Sequence, residues 1–148
     1  VSLIVIVGNP IPPFQPSSMV KAAAWQMPAG WTVVPGWKAD TGSVVVGNAL
    51  KVLGGKASAR VVVTIAFSGG SAPLGGGISQ KAQLLVGTKV VATSDEVTGE
   101  SGTLNIDRSV PVNAGDLLTV QVMCTITGLG GGTPTTISPG AGTSVQIM

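Results

Sequence analysis

Apolar side chains recur at every second position in the longest runs of this chain, and no segment sustains the three-to-four spacing of a helix. In residues 60–67, Val61, Val63, Ile65 and Phe67 share one parity, with Arg60, Val62, Thr64 and Ala66 on the other. In residues 117–127, Leu118, Val120, Val122, Cys124 and Ile126 share a parity. Residues 103–110 set Leu104, Ile106, Arg108 and Val110 against Thr103, Asn105, Asp107 and Ser109. A period of two places alternate side chains on opposite faces of a strand. Further strands are predicted over 19–25, 31–34, 43–46, 49–53, 80–86, 89–93 and 144–148. Between them lie turn signals: Pro35-Gly36, Gly47-Asn48, Gly54-Gly55, Gly87-Thr88 and Ala114-Gly115-Asp116. Short strands broken by turns at close spacing predict an all-β sandwich or barrel.

The first residues do not fit that pattern. Pro10, Pro12, Pro13 and Pro16 place four prolines within seven residues, which excludes a helix or a central strand and favours an extended path. Residues 1–18 are therefore read as an extended N-terminal arm, with a short β-branched stretch over 1–7, and residues 19–148 as one domain. The arm carries the candidate partner-binding residues: Leu3, Ile4, Val5, Ile6, Val7, Pro10, Ile11, Pro12, Pro13 and Phe14. Such a segment binds by adding a strand to an exposed sheet edge, and prolines reduce the entropy lost on ordering. Residues 1–7 lack the basic flank and cleavage site of a signal peptide.

Charge is scarce. Charged residues make up 9% of 148, against 44% hydrophobic, where an ordinary soluble domain has about 25% charged. No run approaches the roughly 20 apolar residues of a spanning helix, so no membrane partner is expected. The net charge of +2 is dispersed, so no nucleic-acid partner is expected either. A surface covered by other subunits, where charge is depleted, accounts for the deficit.

Chemistry has few candidates. The chain has no histidine and a single cysteine, Cys124, which excludes Cys-His and Ser-His pairs, an intrachain disulfide, and the usual ligands of zinc. Cys124 is read as a buried, inert thiol. Asp95, Glu96 and Glu100 are the one credible calcium cluster, although a solvated loop accounts for them. The glycine clusters over 75–77 and 130–132 lack the lysine and helix of a phosphate cradle. Trp25, Trp31 and Trp37 are read as core or subunit contacts ahead of a sugar platform. No catalytic, cofactor or metal site is assigned, and the chain is not expected to be an enzyme.

Five ordered pieces carry a resemblance: Ala49-Leu50-Lys51-Val52, residues 61–67 with Ser68-Gly69-Gly70, residues 83–93, residues 112–120, and residues 142–147. Over roughly the last hundred residues their order resembles the jelly roll of tumour-necrosis-factor-like and complement-globular-head-like domains. Gly30-Trp31 and Gly36-Trp37 are similar to small jelly-roll modules of phage virion proteins. The tyrosine-rich core usual in such ligands is absent. The resemblance implies a jelly-roll β-sandwich, a homotrimer, and a phage virion structural role as a capsid decoration (cement) protein. Its partners would be the major capsid protein or other virion subunits. A minor tail protein or a glycan- or receptor-binding module is the alternative.

Overall fold

A computed structural model of the protein describes residues 12–148. In chain order the strands are β1 (Ser17–Lys21), β2 (Trp25–Gln26), β3 (Thr32–Val33), β4 (Trp37–Ala39), β5 (Val45–Val46), β6 (Ala49–Lys51) and β7 (Lys56–Ser68). They continue with β8 (Gly77–Val86), β9 (Lys89–Thr93), β10 (Val97–Thr98), β11 (Gly102–Val112), β12 (Leu117–Thr127), β13 (Thr136–Ile137) and β14 (Gly140–Ile147). No helix occurs among the described residues.

The strands form two seven-stranded sheets, all of whose pairs are antiparallel. The first is organised around β7, which pairs β11 along one edge and β14 and β13 along the other. Beyond β14 come β1 and then β4, and β2 extends β13. The second is organised around β12, flanked by β8 on one side and by β6 and β3 on the other. Strands β9 and β10 lie outside β8, and β5 outside β6. The first and last described strands are neighbours, and the chain crosses repeatedly between sheets, as in a jelly roll.

The period of two decides which faces meet. Val61, Val63 and Ile65 are fully buried and Phe67 nearly so, opposite Leu84, Leu118, Val120, Val122 and Cys124 of the other sheet. Each large aliphatic side chain buried there contributes about 1.5–3 kcal/mol. Register confirms the parity, because Leu104 and Ile106 of β11 sit opposite Ile65 and Val63. Arg108 shares that parity with Ile106 and Val110, which are buried, yet is exposed: from the marginal strand β11 its long side chain can take its charge to water. Arg60 and Val62 point outward with Thr64 and Ala66, so Val62 is half-buried on the outer face rather than inside the sandwich.

Some boundaries differ from the sequence expectation. The sandwich begins at Ser17, inside the span assigned to the arm, because Ser17 and Ser18 pair with Ile147 and Gln146. Pro16, which has no N–H to donate, is the last residue before the ladder. The single strand expected over 19–25 is two: the register slips between Val20 and Lys21, the Ala22 amide bonds to Gly36 O at 2.9 Å, and Trp25 joins a different neighbour. Strands β7 and β14 each start four residues earlier than expected. The first eleven residues, including the expected strand over 1–7, lie outside the described residues.

The sandwich has two unlike ends. At one, the arm root meets Gly54, and Gly55 packs against the Asn113–Asp116 turn. At the other, the loops over 69–76 and 128–135 are tied by reciprocal 2.9 Å backbone bonds between Ser71 and Thr133. Those loops contain no charged residue.

Candidate functional site

The root of the arm is a built feature. The Gln15 amide donates to Leu53 O at 2.7 Å, tying the arm to the connection between β6 and β7. Gly54 sits at φ +85°, and a Cβ there would lie 2.3 Å from Pro13 O. Both the conformation and the close approach require glycine. Phe14 packs half-buried against the core, and Lys56 Nζ stands 4.8 Å above its ring, within cation–π range.

A groove of about 710 Å³ opens beside this root, walled by Pro12, Pro13 and Phe14 on one side and by Val52, Leu53 and Ala114 on the other. Lys51 also lines it and is exposed. The carboxylate of Asp116, in the adjoining turn, accepts the Asn113 amide at 2.8 Å. Of the arm residues singled out in the sequence, Pro12, Pro13 and Phe14 are at this site. Leu3, Ile4, Val5, Ile6, Val7, Pro10 and Ile11 lie outside the described residues. Lys51, Leu53, Gly54 and Lys56 were not singled out as site residues. A glycine pair flanked by lysines was the available signal, read as a turn alone.

The other candidates are dispersed. Cys124 is 2% exposed, with Gln80 Nε2 and Thr135 Oγ1 each 3.8 Å from its sulfur. Glu96 Oε2 lies 3.7 Å from Lys81 Nζ, and Glu100 Oε1 accepts the Ala72 amide at 3.2 Å. Asp95, Glu96 and Glu100 thus form no chelating cluster, and among the described residues no three acidic or thiol side chains converge on a metal position. Trp37 is buried and donates through Nε1 to Val34 O at 2.8 Å, Trp25 is half-buried in the first sheet, and Trp31 is exposed before β3 of the second. Three rings so distributed offer no shared stacking platform.

Two further features carry charge. Arg60 grips Asp107 through Nε to Oδ1 at 2.9 Å and Nη2 to Oδ2 at 2.6 Å. Those hydrogen bonds, with the charge of the guanidinium, hold the Asp107 carboxyl below its usual range. The pair lies on the outer face of the first sheet, whose middle is uncharged: Val20, Val62, Thr64, Asn105, Ser144 and Gln146. Lys21 is 3% exposed, its Nζ 3.4 Å from Gly36 O, and burial lowers its pKa.

No family model matches the chain, and no curated protein sequence matches it. Solved structures do. The Eiger tumour necrosis factor of S. frugiperda superposes with a TM-score of 0.61 at 11% identity, over 91% of this chain and 91% of that one. Murine APRIL aligns at a TM-score of 0.48 and 11% identity, over 90% of this chain and 98% of that one. With two antiparallel sheets, a core between them and this overlay on Eiger, the chain has the tumour-necrosis-factor-like jelly-roll fold.

Proposed function

We propose that the chain is a structural subunit of a phage virion, a capsid decoration protein that attaches to the shell through its N-terminal arm and self-associates, as a trimer, through its jelly roll. The observation that carries this reading is the arm root. A proline-rich segment is pinned at Gln15 and Gly54, so the residues before it start from a fixed point on the sandwich. A tethered extended segment is suited to strand addition on a neighbouring subunit. The uncharged middle of the first sheet's outer face supports self-association, because removing charged groups from water is the main cost of burying a surface. Attachment at several points would then strengthen weak single contacts.

The test is deletion of residues 1–11, which spares β1, followed by mixing with shells that lack the protein. The truncated protein should melt as the full chain does and fail to attach. Normal attachment would remove the arm from the account. A second reading, a minor tail protein or a receptor- or glycan-binding module, draws support from the opposite end, where Leu74 and Leu129 are 97% and 94% exposed. A glycan array with the intact protein would favour it by giving a specific hit.

A further inference from the structure

We propose that the groove at the arm root is a docking site for an acidic segment of a protein partner that carries apolar anchors. This rests on the arm-mediated assembly above and names the chemistry of the surface that the arm's end of the molecule meets. The walls, from Pro12, Pro13, Phe14, Val52 and Leu53, are apolar, and about 710 Å³ accommodates side chains rather than a single water. Two lysines stand beside it. Lys51 lines the groove, and Lys56 is held over Phe14 at 4.8 Å. Neither forms an ion pair among the described residues, where the two salt bridges are Arg60–Asp107 and Lys81–Glu96. The adjoining Asp116 accepts the Asn113 amide within its own turn, and the two lysines outnumber it.

An apolar trough flanked by unpaired ammonium groups selects for apolar anchors with carboxylates beside them, since complementary charge sets both register and partner choice. Nucleic acid fits poorly, because two lysines neutralise too few phosphates and the walls offer the backbone nothing. An extended segment suits the shape, as the groove is open and Gln15 at its border already makes a strand-like bridge to Leu53.

The probes are labelled synthetic peptides about ten residues long, enough to span the groove when extended. One alternates leucine with glutamate, a second leucine with lysine, and a third serine with glutamate. Each is titrated into the full chain and followed by anisotropy and by amide NMR shifts. The leucine–glutamate peptide should bind, weaken with salt, and shift the amides of Leu53, Gly54, Ala114 and Gly115, while the other two should not. Lys51→Glu with Lys56→Glu should weaken that peptide by at least about tenfold and admit the lysine peptide instead. Lys51→Glu alone, at an exposed position, provides the same reversal in weaker form should the double variant fold poorly. Equal binding of both charge signs, shifts confined to other surfaces, or no binding by any peptide would overturn the proposal. Shell attachment is measured separately. A protein that binds the peptide but no shell refutes the assembly and spares the groove, and one that attaches through its arm but ignores the peptide does the reverse.

Discussion

Gly54→Ala tests whether the arm root is held as the geometry indicates. An alanine at φ +85° pays the left-handed penalty, about 1–2 kcal/mol, wherever its side chain points. At Gly54 it also meets Pro13 O at 2.3 Å and Phe14 Cα at 2.6 Å, both backbone, so no rotamer relieves the clash. The root must lift. Lifting breaks the Gln15–Leu53 bond, about 1 kcal/mol, and exposes part of Phe14, about 1 kcal/mol more. The sum is about 3–4 kcal/mol, a fall in Tm of roughly 6–16 °C for a chain of this size. Gly87→Ala is the control. It has φ +61° with nothing within 4 Å of a Cβ, so it pays the conformational penalty alone. Hydrogen exchange reads the difference directly: the Gln15 amide should exchange quickly in Gly54→Ala and remain protected in Gly87→Ala. Equal loss of stability in the two variants, or an unchanged Gln15 amide in Gly54→Ala, would refute the reasoning.

Lys21→Met should raise stability at neutral pH by about 1 kcal/mol, because the ammonium is buried with one long hydrogen bond. The folded pKa of Lys21 is below its ordinary 10.5, so the unfolded chain binds the extra proton between the two values. Wild-type stability should therefore rise with pH across that window, and denaturant titrations of the methionine variant should show no such rise. Cys124→Ala should cost about 1 kcal/mol, and the native thiol should react slowly with a labelling reagent; rapid labelling would contradict its 2% exposure. Val62→Asp should fold, since Val62 faces outward, but should split self-association seen by sedimentation, because it would bury an unpaired carboxylate where the uncharged middle of that face meets another subunit. Wild-type protein that stays monomeric at high concentration would reject self-association.

The long strands were legible because alternation reports burial directly. Val61, Val63, Ile65 and Phe67, and likewise Leu118, Val120, Val122 and Cys124, carry a parity that no other element could satisfy. Where parity misled, residue type or sheet position was the reason: Arg108 has the inward parity but a long charged side chain and is exposed, while Leu85 has the outward parity on a strand paired on both sides and is 6% exposed. Strands β2, β10 and β13 have two residues each, too few to show any period. Lys21 follows the buried parity of Ser17 and Met19, so its burial was implicit in the pattern but opposed by its residue type. The groove was not legible at all. Its residues come from 12–15, 51–54 and 114–115, and these segments meet through topology rather than spacing.

The position of β1 has a mechanical consequence. The arm is continuous with the N-terminus of β1, and β1 lies between β14 and β4 with antiparallel ladders on both sides. A pull on the arm along the axis of β1 loads that strand lengthwise rather than across. The hydrogen bonds of both ladders then share the load in shear, instead of opening one after another from an end as a zipper does. Before tension reaches β1 it must break the Gln15–Leu53 bond and withdraw Phe14 from its seat, so the root serves as a sacrificial link. A subunit tethered in this way resists detachment by its own unfolding best when the force arrives through its first strand.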